Sequence, residues 1–217
     1  MILSIKSGKF MKITNKKYWD DFYKSFLVKK ESPFARFVYK KIKKKKFNKL
    51  LDVGCGNGRD TFFFLKKGFD VKGVDISKTA IRNNKRILKR NFYLKNICSR
   101  DFFLKEKFSI IYARFFLHAI NSKKENFFLK NIKKISYKKT IVFLEFRTIK
   151  DPLIKKGIKL SKYERFHTHY RRFINAKEFV SKISDEGFKV LYISSSYNYA
   201  RFKFERPHIC RLVMKVI

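Results

Sequence analysis

Leu50-Leu51-Asp52-Val53-Gly54-Cys55-Gly56-Asn57-Gly58 is the stretch on which the reading of this chain turns. An apolar run of strand character enters three glycines spaced GxGxG, and a run of helical character continues through about Lys67. Without a Cβ, a glycine lets the backbone pass close beside a ligand and take dihedrals closed to other residues. The helix start behind the loop offers N–H groups with no partner inside the helix. The next strand, Asp70-Val71-Lys72-Gly73-Val74-Asp75, ends on an acid. A carboxylate in that position can accept hydrogen bonds from both hydroxyls of a ribose. The plain alternative is a tight turn with no ligand, and Asp52 before the loop and Asp75 after it argue against that.

A nicotinamide-binding loop uses similar parts but reads GxGxxG, with a third glycine that packs helix against strand. Here Arg59 and Asp60 follow Gly58 directly. An acid two residues before the first glycine also suits a ligand with a cationic amino group better than a pyrophosphate. Both points favour S-adenosylmethionine.

Outward from the loop, strands and helices alternate. A helix is expected from about Thr79 to Lys89 with Ser77 as its cap, then strands at Asn91 to Lys95 and Phe108 to Ala113. A helix from about Ser122 to Ile135 precedes a fifth strand, Thr140 to Glu145. The rhythm breaks after Arg147 and resumes with a helix near Ala176 to Asp185 and strands at Phe188 to Ser194 and His208 to Val216. Two strands joined by a loop alone suggest an antiparallel pair at the end of a mostly parallel sheet. Upstream, Tyr18, Trp19, Phe22, Tyr23 and Phe26 recur at helical spacing, as do Phe34, Phe37, Val38 and Ile42.

Composition bounds the class. A length of 217 residues suits one domain, 45% hydrophobic content is normal for a globular protein, and the 18% aromatic share argues against intrinsic disorder. Apolar runs stop far short of the roughly 18 residues that span a bilayer. The apolar part of Met1 to Lys6 is too short for a signal peptide, so a cytoplasmic protein without membrane contact is expected. The net charge of +38 invites a polyanion partner. Yet the lysines are scattered, with one dense block at Lys40 to Lys46, and accompany the Ile, Phe and Asn that AT-rich coding also favours. A solvated basic surface is the favoured reading. Cys55, Cys98 and Cys210 lie far apart, which suggests neither a disulfide framework nor a metal site.

The run Leu50 to Gly58 with Val74-Asp75 downstream resembles class I S-adenosylmethionine-dependent methyltransferases, from about Trp19 to the C-terminus. The resemblance implies an α/β fold, doubly wound around a mostly parallel seven-stranded sheet with an antiparallel last strand, a Rossmann-like methyltransferase fold. It implies one domain over 1–217, with an N-terminal helical cap over 1–46 and a substrate-binding insertion over 147–175. The implied cofactor residues are Trp19, Asp52, Gly54, Gly56, Asn57, Gly58, Asp75, Ile76, Asn96, Ile97 and Arg114. Asp75 takes the ribose. An acid usually meets the adenine amino group after the third strand; here Asn96 stands there, with Asp101 five residues on as second choice. Tyr112 to His118 falls where such enzymes put residues between cofactor and substrate, although Phe115, Phe116 and Leu117 also suit a core.

The run His169-Tyr170-Arg171-Arg172-Phe173-Ile174, after Glu145-Phe146-Arg147, resembles a methyltransferase group associated with surface-glycan or phosphonate pathways. Arg147, Tyr170, Arg171 and Arg172 are the expected substrate residues, since guanidiniums bind carboxylate or phosphate through paired bonds. A hydroxyl acceptor needs a base, for which His118, Glu145 and His169 are candidates. An amine or thiol needs none. The expected activity is methyl transfer to a small, anionic acceptor such as a sugar or phosphonate. Two rivals stand beside it: an RNA methyltransferase, for instance on ribose, and a cofactor-binding fold kept as an interaction module. Pro33, Pro152 and Pro207 form no Pro-Pro pair and precede no cysteine, which removes the usual amino- and cytosine-methylating loops. The intact glycine loop and Asp75 speak against the interaction module.

Overall fold

The computed structural model describes every residue except 1, 7, 8, 14, 26, 27, 45–47 and 202–204, with side chains described from Lys16 onward. The chain opens with β1 (Ile2–Lys6) and β2 (Lys9–Ile13), then α1 (Asn15–Ser25) and α2 (Pro33–Ile42). Next come β3 (Lys49–Val53), α3 (Arg59–Lys66), β4 (Asp70–Asp75), α4 (Lys78–Ile87), β5 (Phe92–Leu94) and β6 (Phe108–Arg114). A 3-10 turn at Leu117–Ala119 leads into α5 (Ser122–Lys134) and β7 (Ser136–Arg147). Three short strands follow, β8 (Ile158–Lys159), β9 (Glu164–Phe166) and β10 (Tyr170–Arg172). The chain ends with α6 (Ala176–Asp185), β11 (Phe188–Ser196) and β12 (Ile209–Val216).

Seven strands form the main sheet in the order β11-β12-β7-β6-β3-β4-β5. The pairs from β7 to β5 are parallel, and β12 runs antiparallel to both β7 and β11. This is the doubly wound sheet with an antiparallel end that the alternation of elements implies. Successive side chains on a strand face opposite ways, so both faces must be covered. Leu50, Ile110 and Phe143 pack under α2 and α3 with Phe34, Val38 and Phe64. Leu51, Ile111 and Leu144 pack under α5 and α6 with Phe128, Ile132 and Phe179. Each phenylalanine buried this way contributes roughly 1.5–3 kcal/mol of transfer free energy, which puts the phenylalanine-rich composition to structural use. Helix starts follow their sequence signals: Ser32 caps α2 ahead of Pro33, and Ser77 caps α4 by accepting from the Ala80 N–H at 3.1 Å.

Two expectations need correction or refinement. The cap expected over 1–46 is helical only from Asn15; ahead of it, β1 and β2 pair antiparallel. Ile2, Ile5 and Ile13 favour extended backbone. Phe26, Lys45 and Lys46 of the sequence reading lie outside the described residues. The stretch over 147–175 carries its own antiparallel sheet, β10-β9-β8. Its end is tied to the main sheet where the Ile174 N–H donates to the Arg147 carbonyl of β7 at 3.0 Å, beside a bridge from Thr148 to Ile174.

Strand order reverses beside β3, with β4 and β5 built outward on one side and β6 and β7 on the other. Open α/β sheets bind ligands at such a switch point, beyond the carboxyl ends of the strands.

Candidate active site

A cavity of about 260 Å³ opens there. Its floor is the loop after β3. Gly54, Gly56 and Gly58 have φ of 68°, 52° and 74°, a region that favours glycine. The loop is locked from below, because the Gly54 and Cys55 N–H groups donate to the Val74 carbonyl at 2.9 and 3.1 Å. A Cβ on Gly56 would lie 2.2 Å from the Tyr23 hydroxyl, so only glycine lets α1 sit down on the loop. Gly54 lines the cavity, whereas Gly56 and Gly58 shape the turn without lining it.

Asp75 ends β4 on the cavity wall. Its carboxylate accepts from the Gly56 N–H at 2.9 Å and the Ser77 N–H at 2.8 Å. A carboxylate has further lone pairs beyond those two bonds, which suits a diol. Burial raises its pKa, and the N–H donors of Ser77 and Gly56 oppose that shift. Asp52 is also buried on the wall and accepts from the Thr61 hydroxyl at 2.6 Å. Burial first, and then neighbouring Asp60, push its pKa up to about 8. Of the other expected cofactor residues, Trp19, Asn57, Ile76, Asn96, Ile97 and Arg114 line the cavity. Asn96 already spends its amide oxygen on the Cys98 N–H at 3.0 Å, and Asp101 is exposed and away from the cavity. The glycine cradle, the diol-facing acid and the acidic wall fit an adenosyl ligand with a cationic amino group.

Several lining residues were not singled out in the sequence. Phe22 and Tyr23 of α1 face the cavity together with Trp19, although helical spacing alone reads them as a core stripe. Arg59, the first residue of α3, also lines it; its place directly behind Gly58 was the available signal. Phe115 and Phe116 line the cavity and only Leu117 is purely core. Phe115 holds φ at 56°, uncommon for a residue with a side chain, and its ring lies 4.1 Å from the Arg114 guanidinium, both residues lining the cavity.

The structure distributes the three candidate bases differently. Glu145 is buried between two arginines: Arg114 Nε donates to one oxygen at 3.0 Å and Arg211 Nε to the other at 2.8 Å. His118 is buried, and its Nδ1 accepts from the Arg147 N–H at 3.3 Å. Burial, then the charges of Arg147 and Arg171, hold its pKa well below the usual imidazole range. His169 stacks on Tyr18 at 4.3 Å and meets the Thr168 hydroxyl through Nδ1 at 3.1 Å. Burial, Arg171 and Arg147 push its pKa down to about 3.

The expected substrate residues also divide. Arg147 pairs with Asp151 at 3.0 Å and Glu205 at 2.9 Å. Arg172 pairs with Glu125, and the Tyr170 hydroxyl donates to Glu164. Arg171 has no such partner among the described residues. None of these four residues lines the cavity itself, although the Arg147 guanidinium lies 6.0 Å from the Phe115 ring that does.

Solved structures of low sequence identity share this fold. A protein from Pyrococcus horikoshii is 17% identical, covering 91% of this chain and 99% of that one, with a TM-score of 0.70. An S-adenosylmethionine-dependent methyltransferase from Methanosarcina mazei is 15% identical over 80% of this chain and 94% of its own, with a TM-score of 0.69. The glycopeptide N-methyltransferase MtfA, complexed with S-adenosyl-L-homocysteine, is 12% identical over 89% and 93%, with a TM-score of 0.68. No curated protein matches the sequence. The family model described as a methyltransferase domain matches residues 23–193, from α1 to β11. The chain therefore belongs to the methyltransferase domain family, and it is a class I S-adenosylmethionine-dependent enzyme.

Proposed function

We propose that the chain methylates a small acceptor that carries an anionic group, such as a sugar or phosphonate metabolite. The observation that carries this reading is the juxtaposition of the cavity with basic side chains of the insertion. Two rings that line the cavity at the switch point meet basic side chains of the 147–175 stretch, Trp19 lying 5.4 Å from the His169 ring and Phe115 6.0 Å from the Arg147 guanidinium. We read that stretch as the substrate-binding insertion of a single domain over 1–217. A glycopeptide methyltransferase among the structural neighbours is consistent with an acceptor other than nucleic acid. No described helix is long and apolar enough to cross a membrane, and we read the protein as cytoplasmic.

When bound, S-adenosylmethionine supplies an electrophilic methyl group on a sulfonium. This chain supplies position: Asp75 holds the ribose, the glycine loop admits the backbone side of the ligand, and Trp19 with Tyr23 covers it. Asn57, Ile76, Ile97 and Arg114 complete the wall, and Asn96 stands toward the adenine. Glu145 is committed to two guanidiniums and His118 to a backbone N–H, which leaves His169 as the proton acceptor for a hydroxyl nucleophile. With so low a proton affinity it is a weak base, so placement of the acceptor in line carries most of the rate.

Purified protein with labelled cofactor, offered sugar nucleotides, phosphonates, carboxylates and total RNA, tests the reading. Label transfer to a small anionic acceptor supports it. Transfer to RNA alone would establish the second reading, ribose methylation, which the +38 charge favours.

A further inference from the structure

Strand geometry separates the arginines of the insertion. Side chains alternate along a strand, so Arg171 faces away from its neighbours Tyr170 and Arg172 on β10. Tyr170 and Arg172 turn to Glu164 and Glu125. Arg171 turns toward Arg147, whose charge it feels, and toward the phenol of Tyr18 on α1. Arg147 has both terminal nitrogens committed, to Asp151 and Glu205. Among the described residues, no hydrogen bond or ion pair engages the Arg171 guanidinium, and none of its nitrogens is sealed from solvent. Asp151 and Glu205 act on it only from a distance, each being bonded to Arg147.

The residues around Arg171 tie it to the reaction centre. His169 stacks on Tyr18 and comes within 5.4 Å of the Trp19 ring, and Trp19 lines the cofactor cavity. His118, which also feels the Arg171 charge, lies 5.1 Å from the Phe115 ring on the cavity's other wall. Burial strips part of the water from the Arg171 guanidinium, and no bond from the described residues replaces it. An oxyanion supplies the missing partner, because the planar guanidinium fork takes a carboxylate or phosphate through two parallel N–H···O bonds.

We propose that Arg171 alone of the three arginines binds the acceptor's oxyanion, carboxylate or phosphate, beside the Tyr18–His169 stack, and that Arg147 and Arg172 brace the insertion. This rests on the methyl-transfer reading above and narrows it to one specificity-determining residue.

The test uses the full chain saturated with S-adenosylhomocysteine, titrated separately with inorganic phosphate and with benzoate at fixed ionic strength. The readout is the arginine Nε–Hε spectrum, with Arg171→Lys assigning the Arg171 signal. The expected result is a saturable shift of that signal, larger than any at Arg147 or Arg172, and an anion affinity at least about tenfold weaker in Arg171→Ala. A response to phosphate alone assigns a phosphorylated or phosphonate acceptor, and a response to benzoate alone a carboxylate. If neither anion moves the Arg171 signal, or if Arg171→Ala binds both as tightly as the parent, the assignment fails. Should Arg171→Ala not fold, the parent titration decides by itself. Calorimetry of S-adenosylhomocysteine keeps the readings apart. Absent binding overturns the methyl-transfer reading, and normal binding with an unresponsive Arg171 overturns this inference alone.

Discussion

Asp20 on α1 accepts hydrogen bonds from the Ser77 hydroxyl at 2.8 Å and the Thr79 backbone N–H at 3.0 Å. The first helix is thereby pinned to the N-terminus of α4, where an acid also meets the positive end of the helix dipole. Trp19 and Tyr23 ride on that helix and close the cavity. Replacing Asp20 by Ala therefore weakens S-adenosylhomocysteine binding by about tenfold, the loss expected from charge-assisted bonds, with the sheet left intact. Calorimetry gives the affinity, and limited proteolysis near α1 gives the loosening. An unchanged affinity would mean that packing of Tyr23 on Gly56 alone sets the pose of the helix.

Asp52 links cofactor binding to pH. With its pKa raised from 3.8 to about 8, it is mostly protonated at neutral pH in the ligand-free protein. A cation against this wall favours the ionised form, so binding of S-adenosylmethionine releases up to about one proton and tightens as pH rises toward about 8. Calorimetry in buffers of different ionisation enthalpy measures that proton, and Asp52→Asn removes it. The sign for stability is the opposite. The unfolded carboxyl ionises near 3.8 and the folded one near 8, so this group's contribution to ligand-free stability falls as pH rises between them and then levels off. Identical heats in all buffers would show that Asp52 is already ionised.

The sheet and the cavity's loop wall are legible in the sequence because their signals are local. Leu50 to Val53 has the apolar run of a buried strand, and the loop glycines and Asp75 sit at fixed offsets along the chain. What was not legible depends on partners distant in sequence. Glu145 reads as a free acid at a strand end until β12 brings Arg211 beside it. Tyr23 reads as core because periodicity tells which residues share a helix face, not what that face covers. Arg171 and Arg172 read as a pair because a strand of three residues, Tyr170–Arg172, is too short to show its alternation.

The basic surface makes a separate prediction. Binding to a homopolymeric RNA is expected at low salt and should fall steeply between about 50 and 200 mM, with no preference among sequences. Filter binding across a salt series reads both properties. Selective binding that persists near about 200 mM would shift the acceptor from a metabolite to RNA.

Glu145→Gln separates a structural acid from a catalytic one. The side chain is buried and bridges two guanidiniums, those of Arg114 and Arg211, as the one acid among the described residues bonded to both. Burial raises its pKa while the two arginines pull it back, which is the balance of an ion pair inside a protein. The amide keeps the shape but leaves two buried cations without a counter-charge. Breaking a buried pair in this way costs about 3–5 kcal/mol. Arg114 lines the cavity, so cofactor affinity should fall together with stability. Urea denaturation and calorimetry on one preparation measure both. If the variant keeps its stability to within about 1 kcal/mol and binds cofactor normally but loses turnover, Glu145 is the general base after all, and the two arginines tune it rather than depend on it.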